Sequence, residues 1–228
     1  MNIKLSDKLS FQINLPHYPT PWAMRADLIV HILGLALALF GGGVALGLSV
    51  MKGEIGLVAA TAIYAAGFIA MLAFSMAYNF ATPRFQPLMR RLDHAGIFLM
   101  IAASYTPFTT QALPPLWNIS MTTTVWILAG LGIVGKLFLP GLGKKIWVIF
   151  YVALGWLALV MIWPLSQNAP LAALILLGLG GLIYSVGTAF YMSKSLKYRR
   201  AIWHGHVVAG AITHYVAVLV GVVLAHQP

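Results

Sequence analysis

Apolar residues run along this chain in long stretches, broken at intervals by proline, glycine or basic residues. Each stretch is far longer than a strand, and about 20 residues at roughly 1.5 Å each cross a bilayer core of about 30 Å. The pattern predicts helical spans over 26–50, 55–80, 93–113, 120–139, 146–165, 170–192 and 201–225. Only Lys52, Gly53 and Glu54 separate the first two stretches, and fusing them would leave six.

Composition supports a membrane protein. Apolar residues make up 61% of the chain and charged residues 8%, so a water-facing surface could not be built from it. The expected fold is an all-α bundle of seven transmembrane helices, a single membrane domain over 23–228 preceded by a short cytoplasmic or interfacial arm over 1–22. The arm lacks the continuous apolar core of a secretory signal, and its Phe11, Leu15, Tyr18 and Trp22 suit headgroup level. With no cysteine in the chain, disulfides and thiolate chemistry are excluded.

The net charge of +10 acquires a meaning once the basic residues are placed by loop. Lys4, Lys8 and Arg25 precede span one, and Arg84, Arg90 and Arg91 lie between spans two and three. Lys136, Lys144 and Lys145 surround the four–five connection, and Lys194, Lys197, Arg199 and Arg200 the six–seven connection; Lys52 falls on the opposite side. By the positive-inside rule this alternation places the N-terminus in the cytoplasm and the C-terminus outside. The expected partners are the anionic lipids of the inner leaflet rather than nucleic acid, in an integral membrane protein; the oligomeric state is not legible.

Polar groups within spans are costly, about 2.5–3.5 kcal/mol for an aspartate or a basic residue at a helix centre. Here they gather at one depth. Asp27 and His31 open span one, Ser75 and Asn79 close span two, Asp93 and His94 open span three, and Arg200 and His204 open span seven. Asp27 with His31, Ser75 with Asn79 and Arg200 with His204 are i,i+4 pairs sharing a helix face. Alternating topology brings these eight residues to one inner-leaflet level as a polar cluster. His206 and His214 fall on other faces, as an interfacial and a packing residue. Ser104, Tyr105, Thr106 and Pro107 mark a proline interruption whose hydroxyls satisfy freed carbonyls. Glycines 41–43, 178, 180 and 181 allow helices to approach closely.

The runs Arg91-Leu92-Asp93-His94-Ala95-Gly96-Ile97, Ser104-Tyr105-Thr106-Pro107-Phe108 and Ala201-Ile202-Trp203-His204-Gly205 resemble the bacterial hemolysin III proteins, relatives of the adiponectin and progestin receptors. The resemblance is ordered and runs from span one to span seven. It implies seven helices and, in the receptor relatives, an intramembrane zinc site near the cytoplasmic face with lipid amide hydrolase activity. The family pattern has a histidine four residues after the span-two serine and two histidines four apart in span seven. Here those positions hold Asn79 and Arg200, leaving His204 as the residual ligand. Asparagine is a poor zinc ligand and arginine a permanent cation, so the expectation is a degenerate site without tightly held zinc. The Arg200 guanidinium is expected to replace the metal's charge, pairing with Asp93 and supported by Asn79 and Ser75.

Two functional readings stand beside each other. In one, the pocket binds a lipid or amphiphile without chemistry. In the other, the chain is a metal-dependent lipid amide or ester hydrolase, with Asp93 and Ser75 as catalytic residues and His31 and His94 joining His204 around the ion. A pore or transporter is a third alternative, against which the apolar outer halves of the spans argue.

Overall fold

The computed structural model describes residues 18–139, 142–193 and 195–225. Lys4, Lys8, Phe11, Leu15 and Lys194 lie outside them. Every regular element among the described residues is helical: α1 (Pro21–Lys52), α2 (Ile55–Phe80), α3 (Gln86–Gln111), α4 (Pro115–Phe138), α5 (Lys144–Ser166), α6 (Leu171–Met192) and α7 (Arg199–Val223).

Local chemistry sets the boundaries. Thr20 caps α1 by accepting from the Ala23 amide at 3.2 Å, and Pro21 fills a first-turn position where no amide hydrogen is needed. The helix therefore starts ahead of the expected 26. It stops at Gly53, whose φ of 77° is open to glycine at little cost, so the first two stretches are separate helices. α3 starts at Gln86, with Pro87 in its first turn, rather than at 93. Arg90 and Arg91, assigned to a loop by the apolar pattern, are thus helical.

Consecutive helices pack side by side, and α7 returns to lie against both α6 and α1, closing the ring. α3 also meets α5 and α7. Six of the helices, all but α3, are long and apolar enough to cross a membrane. The exception has a physical reason. α3 carries Arg90, Arg91, Asp93 and a threonine-rich C-terminal half, and its neighbours cover much of it, so it needs less lipid-compatible surface than they do. On the outer side of α1, Ile29, Ile32, Leu33, Leu37 and Phe40 are exposed and form an apolar face for lipid.

Some of the glycines expected at helix contacts lie there and some do not. A Cβ on Gly42 would meet Ala65 at 3.1 Å and one on Gly180 would meet His214 at 2.2 Å, whereas at Gly43 and Gly178 it would meet nothing. α5 changes to a 3-10 helix over Leu157–Met161, which leaves preceding carbonyls short of donors. The Tyr105 hydroxyl reaches across from α3 to the carbonyls of Leu154 and Gly155, at 2.9 and 2.8 Å. Near Pro107, Thr106 donates to the Ala102 carbonyl and accepts from Trp126 Nε1, fixing α4 beside the interruption.

Candidate functional site

Helical spacing does the first part of the assembly. Asp27 and His31 project one turn apart from α1, Ser75 and Asn79 from α2, and Arg200 and His204 from α7, and the three faces meet inside the bundle. Asp27 and Asn79 are fully enclosed, and His31, Ser75 and His204 are buried. The enclosed acid is joined to the last helix by a hydrogen bond of 2.6 Å from His204 Nδ1 to Asp27 Oδ1.

Partners fix the ring tautomers. His31 Nδ1 lies 2.8 Å from the Asp27 carbonyl, which can only accept, so this nitrogen carries hydrogen. His204 Nδ1 likewise donates to the carboxylate. In neutral rings both Nε2 atoms then offer lone pairs, and both point at one hydroxyl: Ser75 Oγ, 3.2 Å from His31 Nε2 and 3.4 Å from His204 Nε2. A serine hydroxyl has one hydrogen to give. Asn79 Nδ2, which donates to the Ser75 carbonyl at 2.9 Å, also donates to Ser75 Oγ at 3.4 Å. One imidazole lone pair is therefore left available.

Tyr18, expected at headgroup level, reaches the cluster from the arm. Its hydroxyl donates to Asp27 Oδ2, and its ring stacks on Phe80 at 5.9 Å between centroids. Burial, followed by the adjoining Asp27 charge, holds the Tyr18 hydroxyl protonated well above the usual tyrosine range, the state in which it can donate. The sequence signal was weak, a tyrosine between two prolines in an arm rich in aromatic residues.

Arg200 departs from expectation in its partner. Its guanidinium donates to Asn79 Oδ1 and lies 5.8 and 5.7 Å from the ring centroids of Tyr18 and Tyr78. Asp93 is half-buried and makes no ion pair with Arg200 among the described residues. The acid of the cluster is Asp27. His94 also stands apart from the His31–His204 pair. Its Nδ1 donates to the Arg90 carbonyl at 2.6 Å and its Nε2 lies 3.5 Å from the Tyr191 hydroxyl, so the grouping of three imidazoles is not formed. The reason is rotational: α3 directs Asp93 and His94 toward α5 and α6 while α1 supplies the acid to α7.

A cavity of about 150 Å³ connects these places. Ser75 and His204 border it, as do Asp93 and His94, and Met71, Leu72, Met100, Val152 and Val207 are among its apolar walls. His214 lines it at greater depth and is a packing residue as expected, with Nε2 3.1 Å from the Leu177 carbonyl. His206 turns away, bonding the Ile202 carbonyl and lying against Phe190.

The Haemolysin-III related family profile matches residues 25–215, which spans every helix of the bundle. The chain belongs to this family. It is 31% identical over 195 residues to Hemolysin-3 of Bacillus cereus, covering 85% of this chain and 89% of that protein. It is 32% identical over 148 residues to the Hemolysin-3 homolog of Bacillus subtilis (strain 168), covering 65% and 70%. It is also 30% identical over 128 residues to the human monocyte to macrophage differentiation factor, covering 55% and 52%. Family and apolar helices together make this an integral membrane protein. Asn79 and Arg200, the two residues that the resemblance sets at histidine positions, are hydrogen-bonded to one another, the amide oxygen accepting from the guanidinium.

Ligand atoms of Asp27, His31 and His204 lie within 4.8 Å of one another, and the three could hold a metal ion. The arrangement suits a weakly held ion better than a structural one. His204 Nδ1 is committed to Asp27, an orienting contact typical of metal-bound histidine, so its ligand atom would be Nε2. With His31 Nε2 this makes two imidazoles and a serine hydroxyl, short of the three or four strong ligands that zinc takes, and the Arg200 cation lies one residue beyond.

Proposed function

We propose that this chain binds an amphiphile inside the membrane, its polar head against Ser75 and His204 and its apolar part along the cavity. The observation that carries this reading is the convergence of His31 Nε2 and His204 Nε2 on the single Ser75 hydroxyl at the polar end of a largely apolar cavity. Such a site favours a head that donates a hydrogen bond, a hydroxyl or an amide N–H, over a bare hydrocarbon. The reading includes seven crossings with the N-terminus in the cytoplasm, for which the alternation of basic residues is the support; α3, 26 residues long, is about 39 Å at roughly 1.5 Å per residue and spans a bilayer core. The bacterial cytoplasmic membrane is part of the same proposal.

The test uses the full chain in detergent after chelator treatment, with a long-chain N-acyl amide and the corresponding alkane as probes. Thermal stabilisation by the amide alone, lost in His204→Ala, is the expected result. Equal stabilisation by both probes, or an undiminished response in His204→Ala, would overturn it.

A second reading is favoured by Asp93 and His204 bordering the same cavity. It is hydrolysis of a lipid amide or ester. His31 and His204 would hold the ion, which when bound supplies a Lewis acid and an acidified water; Asp27 would fix the His204 ring, and Asp93, on the same cavity, would take a proton after turning toward it. Release of fatty acid from an N-acyl lipid, stopped by chelator and by Asp93→Asn, distinguishes it from binding alone.

A further inference from the structure

A second pocket, of about 240 Å³, opens at the cytoplasmic end between α3, α4, α5 and α6. Its walls include four cations from three helices: Arg90 and Arg91 from α3, Lys136 from α4 and Lys144 from α5. Side chains of like charge repel, and gathering four of them around one cavity is unfavourable unless something anionic is shared among them. Aromatic rings and carbonyls position three of them. Lys136 Nζ lies 4.3 Å from the Trp147 ring centroid and 5.8 Å from that of Tyr151, and Arg91 donates to the Leu137 carbonyl at 3.1 Å. Lys144 Nζ sits 3.5 Å from the Tyr191 ring centroid and donates to that residue's carbonyl. Aromatic faces and carbonyls orient a cation without cancelling its formal charge. Among the described residues no carboxylate forms a salt bridge with Arg90, Arg91 or Lys136; the field of Asp93 reaches Lys136, one negative charge against these three positive ones.

We propose that this pocket binds a phosphate group, with Arg90, Arg91, Lys136 and Lys144 as its donors. The phosphate can come from a phospholipid head or from free inorganic phosphate, and one feature favours the lipid. The pocket shares His94, Val148, Tyr151 and Tyr191 with the apolar cavity, so a headgroup among the cations would lie beside an apolar space suited to its acyl chains. This site is separate from the head position at Ser75 and His204 and does not depend on it.

The experiment is native mass spectrometry of the full chain in detergent, titrated with dioleoyl phosphatidylglycerol and, separately, with dioleoylglycerol, which lacks the phosphate. In His204→Ala, which removes the first head position, the phospholipid is expected to bind and the diacylglycerol to bind much more weakly. Each cation removed weakens binding about fivefold, so Arg90→Ala with Lys136→Ala lowers affinity about 25-fold, while Lys136→Arg retains it. Arg84→Ala with Lys197→Ala, outside the pocket on the same side, is expected to change little, and His204→Ala to leave the preference for phosphatidylglycerol intact. Competition by millimolar inorganic phosphate would identify free phosphate as the ligand; its failure to compete identifies the lipid. Equal binding of the two lipids in His204→Ala, or an equal loss in the Arg84/Lys197 variant, would overturn the site. Melting temperatures of all variants separate lost binding from lost folding.

Discussion

Asp27→Asn is the substitution that bears most directly on the polar cluster. Asp27 is fully enclosed, and its two carboxylate oxygens accept from His204 Nδ1 and from Tyr18. Asparagine keeps the shape but presents one oxygen and one NH₂, so it can accept from one donor only, and the other must turn its hydrogen elsewhere or, for His204, change tautomer. An unsatisfied buried donor costs about 1–3 kcal/mol, which is the expected loss for Asp27→Asn. Asp27→Ala leaves both donors unmatched and is expected to cost about twice as much, roughly 2–6 kcal/mol. The assay is reversible unfolding by SDS titration in mixed micelles, which yields free energies directly. Tyr18→Phe removes one of the competing donors, so combined with Asp27→Asn it should cost less than the sum of the single changes, with a coupling of about 1 kcal/mol or more. Equal losses for the Asn and Ala variants, or strict additivity with Tyr18→Phe, would show that Asp27 is not the shared acceptor described.

Three other outcomes are expected. Asn79→His with Arg200→His restores two imidazoles beside His204, and elemental analysis should then find near-stoichiometric zinc where the unaltered chain carries much less. Gly180→Ala places a methyl group 2.2 Å from the His214 ring, so the variant should lose about 1–3 kcal/mol in the SDS titration, whereas Gly178→Ala, which meets nothing, should be within about 0.5 kcal/mol of the parent. Tyr105→Phe removes the donor serving the Leu154 and Gly155 carbonyls and should cost about 1–2 kcal/mol, measured in the same way.

The helices were legible because apolar length and proline or glycine breaks are local properties. Gly53 is the clearest case, a single residue separating two stretches that otherwise read as one. The depth of the polar residues was legible too, since i,i+4 spacing fixes a face: His31, Ser75, Asn79, Arg200 and His204 lie within one network. Which acid would join them was not. Asp27 and Asp93 both occur in the N-terminal part of a helix, and the difference between them is the rotation of α1 and α3 about their axes, which tertiary packing sets. The partner of Arg200 was missed for the same reason, although Asn79 was recognised as support. Tyr18 was missed because its position depends on how the chain folds back before α1, and no periodicity reports that. The basic pocket escaped because Arg90 and Arg91 read as loop residues and Lys136 and Lys144 as a separate connection.

The hydrogen bond between Asp27 and His204 joins residues 177 positions apart, on the first helix and the last. During synthesis, α1 enters the bilayer long before the ribosome has made its counterpart. Until α7 arrives, the carboxylate must be held by Tyr18, by water or by the insertion machinery. Completion of the chain therefore supplies the acid with its imidazole donor, and a truncation ahead of α7 leaves Asp27 without it.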